Sequence, residues 1–262
     1  MSSEHSPKVS CVMVTADRPS LVVRAIHCYL TQTYSNKELV VLDNGTESIE
    51  PLLSKVPSSE LVYKKIERTP DLILGDIRNT ALNMAQGDFI IPQWDDDDWY
   101  HPARIQIQVD ALLEGHDACA LHGTLMHVDS EAYFSSPYIG LLPNGVPPTI
   151  MHRRDDSIKY PSLPRTEDTV YVNAWRDKTY HLLPVSYSYL YIRSFHGANT
   201  WEVDHFLRRM RNTPMDTVRY FWYQFIRRDL TAHPRFQLSK EMQQAFDLYL
   251  TDSRSLGIFP SS

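Results

Sequence analysis

The stretch DFIIPQWDDDDWYHP, residues 88–102, sets a short apolar run against four aspartates, followed by an aromatic pair and a proline. Asp88 to Trp94 reads as a buried strand. His101-Pro102 opens a helix that runs through Leu113, because proline suits a helix start. Four adjacent like charges repel, so they add nothing to fold stability. In an extended segment alternate side chains share a face. Asp95 and Asp97 then converge on one point while Asp96 and Asp98 point elsewhere. Two carboxylates at the carboxyl end of a strand suit a hard cation, Mn²⁺ or Mg²⁺, that keeps positions open for phosphate oxygens. The alternative is an acidic loop that caps the following helix, a role open to Asp98.

Outward from this stretch the same rhythm repeats. VSCVMVT (9–15) is a β-branched run that reads as a buried strand, and Pro19 starts a helix whose apolar spacing lasts from Leu21 to Leu30. ELVVLD (38–43) is a second buried strand closed by Asn44-Gly45, and LVYKKI (61–66) a third. Asp76 to Gln86 reads as a helix with Ile77, Ala81, Leu82 and Ala85 on one face, stopped by Gly87. Strand and helix alternate, which predicts an α/β fold with a mostly parallel central sheet flanked by helices. The second half is less regular. Residues 117–152 hold strand-like runs broken by Pro and Gly; 167–178 read as a helix and 179–193 as two short strands. Residues 200–252 read as three helical pieces with breaks near Pro214 and Pro234.

The chain has 262 residues, 42% apolar and 22% charged, which is ordinary globular usage and excludes a disordered tail, a collagen or a disulfide scaffold. A net charge of −6 argues against a nucleic-acid partner. No apolar run approaches the roughly 18 residues that span a bilayer. The first residues, MSSEHSPK, lack a signal-peptide pattern. Cys11, Cys28 and Cys119 are odd in number, lie in apolar stretches and have no metal-ligand spacing, so they read as buried reduced thiols. A cytoplasmic protein is therefore expected. Charge is uneven: residues 201–240 carry eight Lys/Arg against four acids, interleaved with aromatics from Phe206 to Phe225. This is either the solvated face of a packed helix or a surface for an anionic membrane or acceptor.

Taken in order, these segments resemble the inverting nucleotide-sugar glycosyltransferases of family 2, with the GT-A fold. The resemblance covers roughly residues 9–200. VSCVMVTADRP is similar to the family's first strand and donor loop, and ELVVLDNGT to its second strand with a nucleotide-contacting aspartate. RNTALNMAQGDFIIPQWDDDDWYHP is similar to its Arg-Asn helix, Gly, strand and Asp-x-Asp signature, and PRTEDTVYV to its Glu-Asp motif. Ala16 departs from the aromatic often found in the first loop, so base stacking must come from elsewhere. The implied organisation is a tail over 1–7, a catalytic domain over 8–199 with donor-binding and acceptor-binding halves divided near residue 100, and a helical extension over 200–262.

The resemblance assigns roles by position. Thr15, Asp17 and Arg18 should meet base and ribose, and Asp43 the uracil ring NH; its alternative is a turn aspartate before Asn-Gly. Arg78 and Asn79 match the Arg-Asn pair, with Arg78 near the diphosphate or simply on a helix surface. Asp95 and Asp96 should contact the nucleotide, and Asp97 should be the principal metal ligand with Asp95. His196, in YIRSFHGANTW, could complete the metal site or touch phosphate, or be structural. Asp168 matches the family's catalytic base and Glu167 its neighbour at the acceptor; otherwise the two acids merely start a helix. The implied reaction moves a sugar from a UDP-sugar to a saccharide, lipid-linked or protein acceptor with inversion. Two rivals from other classes are a metal-dependent nucleotidyltransferase or pyrophosphohydrolase, and a non-catalytic nucleotide-sugar module. The first would want a basic Gly-rich phosphate loop near the first strand, and the chain has none among its nine glycines. The second would tolerate loss of the acidic motifs, and both are intact.

Overall fold

The computed structural model describes residues 6–195 and 208–260. The chain begins with β1 (Val9–Thr15), α1 (Pro19–Leu30), β2 (Lys37–Asp43), β3 (Leu61–Lys65), α2 (Leu74–Leu82) and β4 (Phe89–Ile91). It continues through β5 (Trp99–Tyr100), α3 (Arg104–Leu113), β6 (Ala118–Leu121), β7 (Gly123–Val128), β8 (Tyr138–Leu141) and β9 (Met151–Arg153). It ends with α4 (Glu167–Trp175), β10 (Tyr180–Leu183), β11 (Tyr191–Phe195), α5 (Pro214–Phe221) and α6 (Lys240–Ser255). β4 is shorter than its apolar run suggests, because Pro92 has no N–H for the ladder. Before the first turn of α3, Ala103 N donates to His101 Nδ1 at 3.1 Å.

Two compact units interleave along the chain: residues 1–120 with 147–182, and residues 121–146 with 183–262. The expected division near residue 100 falls inside the first unit. The first unit is built on a sheet ordered β10-β6-β9-β4-β1-β2-β3. β1 runs parallel to both β2 and β4, and β2 parallel to β3. β9 is antiparallel to β4 and β6. One core gathers Val12, Val40, Leu42 and Ile90 of the parallel strands against Ile77 and Ala81 of α2 and Tyr171, Val172 and Trp175 of α4. The parallel strands go out from β1 through β2 to β3, and then β4 returns to the other side of β1. That reversal opens a crevice beyond the carboxyl ends of β1 and β4, where α/β sheets hold ligands. Thr15 ends β1, and the four aspartates follow β4.

In the second unit β7 pairs parallel with β11 and antiparallel with β8. Met126, Val128 and Tyr138 of these strands pack with Met210, Tyr220 and Leu230. Of the three helical pieces expected over 200–252, the first lies largely outside the described residues; α5 starts at Pro214, and a π-turn over Trp222–Ile226 and two 3₁₀ turns, one of them at Pro234, separate it from α6.

Candidate functional site

Thr15 Oγ1 donates to Asp96 Oδ2 at 2.5 Å, which joins the ends of β1 and β4. Arg18 Nη1 lies 3.2 Å from Asp96 Oδ1 and 3.3 Å from Asp97 Oδ2. The chain turns at Asp96 and Asp97, so the four aspartates do not continue the strand. Their exposure alternates all the same: the side chains of Asp95 and Asp97 are 22% and 21% exposed, while Asp96 and Asp98 are buried. Burial, reinforced by the charge of Asp97, pushes the Asp96 carboxyl up to about 6, against the pull of Thr15 and Arg18. Asp96, expected at the nucleotide, is buried and accepts from Thr15 and Arg18. Two groups hold the backbone of the turn. Arg24 Nη2, from the buried side of α1, donates to the Asp97 carbonyl at 2.7 Å, and Tyr100 Oη donates to the Asp95 carbonyl at 2.8 Å.

A second cation ties this turn to α4. Arg78 on α2 donates from Nε to Glu167 Oε1 at 3.1 Å and from Nη1 to Asp95 Oδ1 at 3.3 Å. Burial opposes the Arg78 charge, but Asp95, Tyr160, Glu167 and Asp168 outweigh it and raise its pKa. Glu167 is buried, and desolvation pushes its carboxyl up while Arg78 pulls it back. Asp168 is half-buried, and its Oδ1 accepts from Thr169 N and Oγ1. The residue before the pair, Thr166, has φ 65°, a left-handed conformation rare for a β-branched residue. Asn79 faces elsewhere. Its amide donates to the Tyr160 carbonyl at 2.8 Å and accepts from Tyr160 N at 2.9 Å. These two bonds clamp the segment before α4.

The loops after β1 and β2 are stitched together. Asp17, at φ 56°, accepts from Thr46 N at 2.6 Å and from Arg68 Nη1 at 3.0 Å. Asp43 is fully buried and accepts from Gly45 N, Ile49 N, Tyr63 Oη and Lys65 Nζ. The bond from Gly45 N is the turn role of an aspartate before Asn-Gly. Gly45 is needed here, since a Cβ would stand 2.8 Å from the Asp17 backbone nitrogen. Asn44 Nδ2 and Gln93 Oε1 are buried polar atoms without a protein partner, one in the loop after β2 and one between β4 and the aspartates. Such atoms call for water or ligand.

Residues 10–166 match Glycosyl transferase family 2. The chain belongs to this family. WcaA of Escherichia coli K12, named as a colanic acid biosynthesis glycosyl transferase, is 32% identical over 109 residues, 40% of this chain and 37% of its own. EpsE of Bacillus subtilis, named as a glycosyltransferase, is 31% identical over 147 residues, 55% of this chain and 51% of its own. The chain thus spans about half or less of these relatives. Among solved structures, S. aureus TarS 1-349 with UDP-GlcNAc aligns at TM-score 0.58 and 18% identity, covering 95% of this chain and 81% of TarS 1-349. The mannosyltransferase PcManGT of Pyrobaculum calidifontis, with GDP-Man and Mn²⁺, aligns at 0.57 and 13% identity, covering 99% and 77%. These likenesses, with the sheet order above, give the GT-A fold.

In this family 2 protein the donor set for a cation is small. Among the described residues no three His, Cys, Asp or Glu enclose a metal position. His196 lies outside the described residues. Asp95 and Asp97, the two partly open carboxylates, fit a hard cation whose other ligands are phosphate oxygens and water. The sequence reading passed over Arg24, Tyr100 and Gln93. Arg24 left a signal, an arginine inside the apolar stripe formed by Val22, Ala25, Ile26 and Tyr29.

Proposed function

We propose that this protein is a metal-dependent, inverting glycosyltransferase that moves a sugar from a nucleotide diphosphate donor to an acceptor hydroxyl. The observation that supports it most is the double contact of Arg78, which unites the aspartate turn with the Glu167-Asp168 pair. The aspartate turn and the neighbour of the candidate base thereby share one cation. Asp95 and Asp97 would hold Mn²⁺ or Mg²⁺, which when bound offsets the charge that develops on the departing nucleoside diphosphate. Arg18 and Arg78 keep the surrounding carboxylates in fixed places. Asp168, half-buried, takes the proton of the acceptor hydroxyl as its oxygen attacks the anomeric carbon. Glu167, pinned by Arg78, orients α4 beside it. Among donors a UDP-sugar is the first choice, since TarS binds UDP and UDP-GlcNAc, and the GDP-Man of PcManGT is the second. The acceptor we infer is a saccharide, lipid-linked or protein hydroxyl. The setting we infer is cytoplasmic, supported by three free, buried cysteines, with burial pushing the Cys11 and Cys119 thiols up to about 12.

The test is calorimetry of UDP-, GDP-, CDP- and dTDP-sugars with and without Mn²⁺, followed by NMR of the anomeric configuration of the product. Metal-dependent binding of one donor and an inverted anomer support the proposal. Metal-independent binding removes the cation, and a retained anomer removes Asp168 as base.

A further inference from the structure

The C-terminal half of the second unit carries a surface that sugar transfer does not explain. Met215, Val218, Phe221, Trp222, Phe225 and Ile226 are between 49% and 66% exposed. The spacing 215, 218, 222, 225 and 226 makes one stripe along α5 and the π-turn that follows it. The π-turn is closed by Arg227 N donating to the Trp222 carbonyl at 2.9 Å. Phe221 and Phe225 stack, with centroids 5.5 Å apart. The opposite side of the helix is already used. Tyr220 packs with Met210, Leu230 and Tyr138, and Arg211 lies 4.8 Å over the Tyr220 ring. The helix therefore has an inner face in the core and a second apolar face turned outward.

The charges beside the stripe are one-sided. Arg208, Arg219, Arg227 and Arg228 are exposed. Of the two acids between residues 208 and 230, Asp216 is buried and its charge is met by Arg235 Nη2 at 2.8 Å. Asp229 alone stays exposed, and its carboxylate accepts from Thr231 and from Ala232 N. A tryptophan and two phenylalanines flanked by arginines match the layered polarity of an anionic lipid surface, with acyl chains below and phosphates above. A second copy of this chain fits less well. A two-fold contact through the same patch sets arginines against arginines.

We propose that this stripe lies in the surface of an anionic membrane, with Trp222, Phe225 and Ile226 entering the headgroup–acyl boundary and Arg219, Arg227 and Arg228 on lipid phosphates. The full chain should co-sediment with vesicles of equimolar phosphatidylcholine and phosphatidylglycerol, and at least about tenfold less with phosphatidylcholine alone. Raising salt from 0.1 M to 1 M shortens the screening length from about 10 Å to about 3 Å and should release it. Arg219→Gln, Arg227→Gln and Arg228→Gln together should weaken binding about a hundredfold, at roughly one lipid charge contact each. Trp222→Glu with Ile226→Glu should abolish it. All five positions are exposed, and of them Arg227 has a ring contact inside the fold, 5.5 Å over Tyr223; thermal melting should be unchanged in the Trp222→Glu, Ile226→Glu variant and fall only slightly in the arginine variant, which separates lost binding from lost fold. Absence of sedimentation with anionic vesicles overturns the proposal, as does binding that neither salt nor the arginine variant affects. A dimer in ultracentrifugation that the Trp222→Glu, Ile226→Glu variant dissolves, with no vesicle binding, would assign the face to a second copy instead.

Discussion

Asp168 and Glu167 are adjacent, yet their surroundings differ. Glu167 is buried and tied to Arg78, whereas Asp168 is half-buried and meets Thr169 within its own helix turn. A carboxylate that takes a proton from an acceptor must be reachable, and Asp168 is the one that meets this condition. Asp168→Asn keeps the shape and loses the proton affinity. Sugar transfer should fall on the order of a hundredfold or more, the usual scale of general-base catalysis, while UDP affinity changes less than about threefold. Steady-state kinetics beside calorimetry checks this, and near-normal transfer would move the base elsewhere. Asp97→Ala addresses the cation. Its carboxylate touches Arg18 at the protein surface, so its loss should spare the fold and relieve the repulsion on Asp96. Mn²⁺-dependent UDP binding should weaken at least about tenfold; unchanged affinity in the presence of the metal would exclude Asp97 as its ligand. The alternation in exposure of the aspartates was legible from their spacing alone. The roles of Asp43 and Asn79 were not, because their partners, such as Tyr63, Lys65 and Tyr160, come from other segments that no local pattern names.

At the scale of elements, α1 does more than cover the sheet. It carries Arg24 into the interior, and the guanidinium donates to the backbone of the aspartate turn. The contact with the Asp97 carbonyl makes Arg24 a positioning residue, since it fixes the backbone of the turn. Replacing Arg24 with Met removes a hydrogen bond from a charged donor, worth about 1.5–3 kcal/mol. The expected result is a lower melting temperature and a donor KM raised about tenfold or more, with kcat at saturation little changed; Arg24→Lys should recover part of the loss. A kcat loss with unchanged KM would contradict a positioning role. The elements β1, α1, β2 and β3 were readable because each has a strong local apolar pattern, with Pro19 at the start of α1 and Asn44-Gly45 after β2. β5, β8 and β9 were not, since strands of two to four residues are defined by their partners and not by their own pattern. The order of β4 beside β1, which makes the crevice, is likewise a long-range fact. For the basic, aromatic segment around α5 the sequence left two readings open, a packed helix or a membrane surface, because which apolar side is buried depends on what packs beneath it.

For the molecule as a whole, the response to acid depends on groups that are neutral inside and charged outside. His152 on β9 is buried and stacks on Trp175 of α4 with centroids 4.1 Å apart. Its Nδ1 lies 2.7 Å from the Arg153 carbonyl, and its Nε2 lies 2.8 Å from Tyr171 Oη. A carbonyl can only accept, so Nδ1 carries the hydrogen and Nε2 accepts from the tyrosine. Both nitrogens are thus satisfied in the neutral ring, and burial lowers the pKa to about 4. An unfolded histidine titrates near 6.5. Above that value His152 is neutral in both states and gives no pH dependence. Between about 6.5 and 4 the unfolded chain holds a proton that the folded one refuses, so stability falls as pH falls, by up to about 3 kcal/mol across the window. Asp96 has the opposite sign. Its raised carboxyl binds a proton in the folded state that the unfolded chain has released, so its contribution declines as pH rises through about 6. The two offset in the total profile, and a comparison isolates one of them. His152→Gln keeps a donor and an acceptor at the site without a titrating ring. Denaturant unfolding of wild type and variant from pH 7 to pH 4 should give curves that converge as pH falls, the variant lacking the loss of one excluded proton. Parallel curves across that range would show that the His152 ring is charged as readily inside the protein as outside it.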